Sequence, residues 1–340
     1  MAGQLSACGP DQATVRPLSL LTSLVLLALV SLGIAISSGS IPLDGQTIWR
    51  TLAGQNTGMA QSIIFELRLP RALTAFCVGG LLALAGALMQ VLLQNPLADP
   101  YVLGTSGGAA TGALGAILLG LTGIGIMAGA FAGALFSILL VFGLAHGTGD
   151  WSPPRLILTG IVVAAGWSAL IAFILTVSPD RDLRGMLFWL MGDVGDTGWP
   201  RTGLIVLPLV LAAAILVARE LNVVAHGEVQ ATALGVSVNA LRITIYGLAS
   251  LTTAVAVTLA GSVGFVGLVI PQMLRLMGAR DHRILLPAAV IAGGTLLLLA
   301  DTGARALFAP RQLPVGILTA FIGVPMFLYL LHKTRPGENS

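Results

Sequence analysis

Histidines and carboxylates are the side chains with which this sequence could do covalent or metal chemistry. The four histidines are His146, His226, His282 and His332. None belongs to an HExxH motif, and none has a cysteine or carboxylate at metal-ligand spacing. Serines are plentiful, but no histidine is predicted inside an apolar segment to act as their general base. We therefore predict no catalytic residue and no metal site in this chain.

Acidic residues inside a long apolar segment would indicate ion coupling, because a charge at that depth is costly and is usually kept for a function. Here the acids lie at segment edges: Glu66 precedes one apolar segment and Asp301 follows another. Asp301 also lies four residues before Arg305, a spacing that pairs two side chains on a helix. An ion-coupled secondary transporter stays open as an alternative, but it lacks its usual central carboxylate.

The sequence lacks the motifs that bind ATP and the basic surface that binds nucleic acid. The sequence contains no GxxxxGK[ST] loop, so we do not expect this chain to hydrolyse ATP through such a loop. Its arginines occur singly or in pairs between apolar runs and form no basic stripe, so no nucleic-acid partner is predicted. Any energy for transport would then come from outside the chain.

The composition indicates what kind of scaffold must position these residues. The 340 residues are 56% hydrophobic and only 9% charged, whereas a soluble domain carries about a quarter charged residues. One soluble core could not hide this much apolar surface. The cysteines Cys8 and Cys77 lie in the N-terminal tail and in an apolar run, so no disulfide is predicted. The chain is predicted to be an all-α, polytopic membrane protein.

Ten membrane spans are predicted from the uncharged apolar runs, since one crossing takes roughly 20 residues. Two runs are long enough for two spans each, with breaks expected near residues 119–125 and at the glycines of 261–267. The runs are 18–36, 72–93, 100–145, 156–179, 202–218, 243–274, 284–300 and 312–331. The polar stretches between them have room only for short helices and turns. We therefore predict one transmembrane domain, 1–340, with short tails at about 1–17 and 333–340.

Orientation follows weakly from the basic residues. With both termini in the cytoplasm, nine basic residues fall inside and eight outside, and the group Arg275, Arg280 and Arg283 beside short loops favours this orientation. The outer arginines are then an excess that needs a reason. One reason is an acidic partner that docks outside. The other is binding to lipid headgroups and local pairing with acids such as Asp301.

Several separated motifs resemble the FecCD family of permeases, the membrane subunits of type II ABC importers for vitamin B12, haem and ferric siderophores. The resemblance runs in order from about residue 20 to residue 332. The motifs are 68–71 (RLPR), 94–100 (QNPLADP), 103–104 (LG), 264–271 (GFVGLVIP), 281–287 (DHRILLP), 299–305 (LADTGAR) and 313–316 (LPVG).

This resemblance implies a fold of ten helices in the bacterial inner membrane, with both termini cytoplasmic. It also implies a second permease copy, two cytoplasmic ATPase subunits and an extracytoplasmic substrate-binding protein. ATP and magnesium would then bind the ATPase, and this chain would need no cofactor. The cargo would be a metal chelate, namely cobalamin, haem or a ferric siderophore, and the shared motifs do not choose among them.

The resemblance also assigns roles to residues that match its motifs. Arg68, Arg71 and Arg305 correspond to arginines that meet glutamates of the binding protein, and Arg68 and Arg71 are expected to point outward from one helix face. Asn95 and Leu97 match a cytoplasmic gate at the dimer axis. The segment at about 219–240 matches the ATPase coupling region. Its expected contact residues are Gly227, Glu228, Ala231, Leu234 and Gly235.

Two departures from the family pattern are visible. Gln272 stands where the family often has histidine, so a charge at that position is not expected to be required. Ser152, Pro153 and Pro154 lie where a second gate loop would be, but the prolines replace the usual small polar residues. The second gate is therefore only weakly supported by the sequence.

Overall fold

The computed structural model describes residues 17–39, 41, 43–55, 58–146, 153–195, 198–307 and 312–333, and these contain no β-strand. Cys8 and Ser152 lie outside the described residues. The helices are α1 (Pro17–Ser37), α2 (Gly45–Leu52), α3 (Met59–Ser62), α4 (Leu69–Leu92), α5 (Thr105–Leu118), α6 (Ile124–His146), α7 (Pro153–Val177), α8 (Asp180–Leu190), α9 (Arg201–Leu216), α10 (Ala218–Val224), α11 (Glu228–Ala233), α12 (Val238–Ala260), α13 (Val266–Leu276), α14 (His282–Ala306) and α15 (Val315–Lys333). A π-helical turn, Ile63–Arg68, precedes α4, and a 3-10 turn, Pro100–Leu103, precedes α5.

Each predicted apolar span contains one long or medium helix. These ten helices are α1, α4, α5, α6, α7, α9, α12, α13, α14 and α15. Among the described residues, six helices are each long and apolar enough to cross a bilayer, and α9 with α10 makes a seventh that is bent by 58°. The expected all-α, polytopic membrane architecture is confirmed.

The glycine-rich break predicted in the 243–274 run is also present. Helix α12 ends at Ala260, Gly261 has a φ of 66°, and Phe265 has a φ of 69° immediately before α13 begins. A Cβ on Gly261 would lie 2.3 Å from the carbonyl oxygen of Trp189. Glycine is therefore required at this turn both by its left-handed backbone and by the close approach of a neighbouring chain segment.

Helix α4 lies at the centre of the bundle, and α14, α12 and α13 pack extensively against it. Nearly all of its side chains are buried from Ala72 to Leu92. Its 24 residues correspond to a length of about 36 Å at the α-helical rise. One helix therefore connects the two ends of the bundle, and residues at its two ends are held in one rigid element.

Close backbone contacts hold α4 against its neighbours. A Cβ on Gly79 would lie 2.2 Å from the carbonyl oxygen of Gly293 in α14, and a Cβ on Gly86 would lie 1.9 Å from that of Gly267 in α13. Small residues permit such approach where lipid gives no hydrophobic drive for helix association. Glycine is therefore required for close helix packing at these two crossings.

We expect Gly86→Ala to destabilise the fold, because the new methyl group would overlap the Gly267 carbonyl and force α4 and α13 apart. Overpacking of this kind costs about 1–3 kcal/mol. Thermal unfolding of the purified protein in detergent measures the change. The matched control is Gly247→Ala in α12, where nothing lies within 4 Å of the added Cβ. Equal melting temperatures for the two variants would contradict the packing argument.

Candidate functional site

Three arginines gather at the end of the bundle where α4 begins and α14 ends. Arg68 is the last residue of the π-helical turn, Arg71 lies in the first turn of α4, and Arg305 lies in the last turn of α14. All three line one cavity of about 360 Å³. The sequence predicted that these side chains share a surface, and the structure brings them together although Arg71 and Arg305 are 234 positions apart in the chain.

Asp301 is the centre of this arginine cluster. Its carboxylate accepts a bond of 2.9 Å from Nη2 of Arg71 and one of 3.0 Å from Nε of Arg305, so the predicted Asp301–Arg305 pair is confirmed. The Asp301 side chain is 1% exposed, and those of Arg71 and Arg305 are 14% and 11% exposed. One buried carboxylate is thus shared by two guanidinium groups. Because the charge of the Asp301 carboxylate is balanced by Arg71 and Arg305, and both of its oxygens accept hydrogen bonds, a role in ion coupling is disfavoured.

Arg68 does not point outward, and that expectation is wrong. Its guanidinium donates to the carbonyl oxygens of Ile36, at 2.7 Å, and Ser37, at 3.2 Å, and to that of Ile41. These carbonyls lie at and beyond the end of α1, where a helix leaves acceptors without an internal partner. Arg68 is only 5% exposed. It is therefore an internal cap for α1.

Two residues of the cluster were not found from the sequence. Gln312 accepts a bond of 3.1 Å from Nη1 of Arg71, and Asp193 lies 3.6 Å from Nη2 of the same side chain. Burial raises the pKa of Asp193, Arg71 opposes this rise, and Asp301 adds to it. Asp193 comes from a loop without a motif, and Gln312 directly precedes the 313–316 motif, but neither position indicated a contact with Arg71.

The predicted gate residues lie at the opposite end of α4. The backbone amide of Leu97 donates a 2.9 Å bond to the side-chain oxygen Oδ1 of Asn95, which closes a local turn around Pro96. Both Asn95 and Leu97 are exposed. The turn is short and internally bonded, as a gate element would need to be. Its position at a dimer axis stays a prediction.

The predicted coupling segment lies at the same end as the gate turn. Helix α11 begins after Gly227, which has a φ of 123°, and is closely followed by Gly235, which has a φ of 82°. Within the helix Ala231 is fully buried, while Val229 is 86% exposed and Leu234, just after it, is 72% exposed. The segment is thus anchored on one side and presents apolar side chains on the other.

Another polar contact at this end ties α10 to the start of α14. The side chain of Asn222 donates a 2.8 Å bond to Asp281, and its oxygen accepts a 2.9 Å bond from the backbone amide of His282. Hydrogen bonds, that from Asn222 first, lower the pKa of Asp281. His282 itself is buried. Among the described residues, no group of three or more histidine, cysteine or acidic side chains could hold a metal ion.

We expect Asp301→Asn to destabilise the protein strongly, because two guanidinium groups would stay buried without their counter-charge. Removing one partner of a buried pair costs about 3–5 kcal/mol. The change is measured by thermal unfolding in detergent. Asp182→Asn is the matched control, since its partner Arg181 is 84% exposed and surface pairs contribute about 0–1 kcal/mol. A loss no larger than that of the control would show that the cluster does not depend on Asp301.

The sequence matches the FecCD transport family over residues 24–333. The cobalamin import system permease protein BtuC of Halobacterium salinarum is 38% identical over 335 residues, which are 95% of this chain and 90% of that protein. The vitamin B12 import system permease protein BtuC of Klebsiella pneumoniae is 41% identical over 323 residues, 93% of this chain and 94% of that protein. The molybdate import system permease protein MolB of Haemophilus influenzae is 35% identical over 332 residues, 96% of this chain and 98% of that protein.

The fold is similar to that of a solved structure as well. An inward-facing structure, described as of metal-chelate ABC transporter type, superposes with a TM-score of 0.81. It is 32% identical in sequence and covers 94% of this chain and 100% of that chain. Sequence and fold together establish that this chain belongs to the FecCD transport family.

Proposed function

We propose that this chain is the membrane-spanning subunit of an ATP-driven importer that carries a metal chelate into the cytoplasm. The relatives named for cobalamin, vitamin B12 and molybdate support import of a metal-containing solute, and cobalamin is the cargo we favour. Haem and ferric siderophores are the other candidates, on the motifs of the sequence. The protein lies in the bacterial inner membrane, with both termini on the cytoplasmic side.

The observation that carries this proposal is the pattern of exposed and buried side chains in the coupling segment. A six-residue helix that exposes Val229 and buries Ala231, followed by the exposed Leu234, has a surface to dock in an apolar groove of a partner. A cytoplasmic ATPase is the partner that a chain without a phosphate-binding loop requires. Two such ATPases, with ATP and magnesium bound to them, would each meet one permease copy.

Transport then follows from alternating access between two permease copies. In the proposed assembly, the turns around Asn95 and Leu97 of the two copies face each other at the dimer axis and close the cytoplasmic side. Nucleotide binding moves the coupling segments, and this movement changes which side of the membrane the pathway opens to. The chain performs no covalent chemistry in this cycle.

At the other end, we propose that the arginine cluster receives the extracytoplasmic binding protein. The cavity lined by Arg68, Arg71 and Arg305 has an open side and carries more guanidinium groups than carboxylates. Nη2 of Arg305 is buried and has no hydrogen-bond partner among the described residues, so an incoming glutamate could engage it only after the cavity opens further. Because Arg68 is bonded to backbone carbonyls, Arg71 and Arg305 carry most of the proposed docking.

We expect Gly235→Val to uncouple ATP hydrolysis from uptake while the permease stays folded. A β-branched residue at a φ of 82° strains the backbone by about 1–3 kcal/mol, and the strain acts on the segment that meets the ATPase. Uptake per ATP hydrolysed, measured in proteoliposomes, should fall about tenfold.

The control for this variant is Gly120→Val in the turn between α5 and α6. Gly120 has a φ of 75°, and nothing lies within 4 Å of an added Cβ, so the backbone strain is matched far from the coupling segment. Uptake per ATP should stay near the wild-type value. Native coupling in the Gly235→Val protein would exclude a role for this turn.

We expect Arg305→Gln to weaken docking of the binding protein without unfolding the permease, because Arg71 still neutralises Asp301. Loss of one partner of a desolvated ion pair costs about 2–5 kcal/mol, so the dissociation constant should rise about 30-fold or more. Surface plasmon resonance with the cognate binding protein measures it. Arg201→Gln, an exposed arginine that begins α9, should change the constant less than about fivefold. Equal effects of the two substitutions would mean that the cluster only anchors the fold.

A further inference from the structure

The gate turn and the coupling segment are joined by a side-chain contact that no motif indicates. Nε2 of Gln94, the residue before Asn95, donates a 2.8 Å hydrogen bond to Oε1 of Glu228. The two residues are 134 positions apart in the chain. Gln94 follows the last turn of α4, and Glu228 is the first residue of α11. The bond therefore spans the two elements that the proposed transport cycle must move together.

A third residue holds the acceptor in place. Arg242, in the second turn of α12, donates from Nη2 to the same oxygen of Glu228. The Arg242 side chain is 14% exposed and that of Glu228 is 34% exposed, so water screens this ion pair less than a pair on an open surface. Helix α12 is a long core helix that packs on α4. The Glu228 carboxylate is thus oriented by the bundle and presented to Gln94.

The backbone around Gln94 joins this residue to the gate turn. Gln94 has a φ of 48°, which is uncommon for a residue other than glycine. The Gln90 carbonyl accepts from the amide of Asn95 at 3.1 Å, and Asn95 in turn bonds Leu97. Gln94 and the turn that follows it are therefore one internally bonded unit. A displacement of the Gln94 side chain would therefore also move Asn95 and Leu97.

We propose that Gln94 is a positioning residue that transmits movement of the coupling segment to the gate turn through its hydrogen bond to Glu228, which Arg242 orients. This inference rests on the proposed function for its role in transport, but the contact itself can be tested without any cargo. Gln94 is not proposed to touch the transported solute.

The first test measures hydrogen exchange in the purified permease in detergent or nanodiscs. Gln94→Asn withdraws the amide by one methylene group, and asparagine tolerates the positive φ well, so the backbone is not strained. We expect amide exchange in residues 227–236 to rise about tenfold, although the substitution lies 134 positions away. Gln61→Asn, the same substitution at an exposed glutamine in α3, is the matched control and should leave exchange in residues 227–236 unchanged.

Swapping the donor and acceptor side chains then tests whether the protection depends on the hydrogen bond itself or on general packing around it. In the double variant Gln94→Glu with Glu228→Gln, an amide again faces a carboxylate, and Arg242 faces an amide oxygen at position 228 in place of the carboxylate. Protection of residues 227–236 should return to within about twofold of the wild type. The proposal would be overturned if the double variant did not restore protection, or if Gln94→Asn kept wild-type protection.

The second test follows the gate in the assembled complex with its ATPase. A cysteine introduced by Leu97→Cys should cross-link between copies with a yield that depends on nucleotide, and Gln94→Asn should abolish that dependence while ATP hydrolysis continues. A nucleotide response that survives in Gln94→Asn would refute the link. If no cargo were taken up with ATP while Gln94→Asn still raised amide exchange in residues 227–236, the proposed function would be refuted. The contact between Gln94 and Glu228 would still hold.

Discussion

The close seating of α4 is the constraint on which the rest of the structure depends. Lipid gives helices no hydrophobic reason to associate, so the bundle relies on backbone surfaces that fit without side chains between them. Gly79 and Gly86 provide such surfaces against α14 and α13. Because α4 is buried along its length, the positions of Arg71 at its beginning and Gln94 just beyond its end are determined by these crossings.

The two ends of α4 carry polar groups of different character. At one end, Asp301 is shared by Arg71 and Arg305, and Arg68 caps the carbonyls that follow α1. This end is dense in charge and internally bonded. At the other end, side-chain hydrogen bonds and the Arg242–Glu228 ion pair connect short segments, and Val229 stands exposed. In the proposed function, the first end receives the binding protein and the second end is moved by the ATPase.

Much of the architecture was predictable from local patterns. Runs of about 20 apolar residues must become helices in a membrane, because every backbone group has to be satisfied within the segment. The glycines of 261–267 marked the break before α13. Asp301 and Arg305 are four residues apart on one helix, so their pairing followed from helical geometry. The positive φ at Gly235 followed from a glycine at a helix end.

What the sequence by itself determined is therefore the class of protein, the helices and contacts between residues close in the chain. Only the tertiary structure decided that Arg68 turns inward to the end of α1, that Asp193 and Gln312 join Arg71, and that Gln94 reaches Glu228. The physical reason is that local periodicity specifies which face of a helix a residue occupies. It does not specify which distant carbonyl, carboxylate or amide the packing of other helices brings opposite that face.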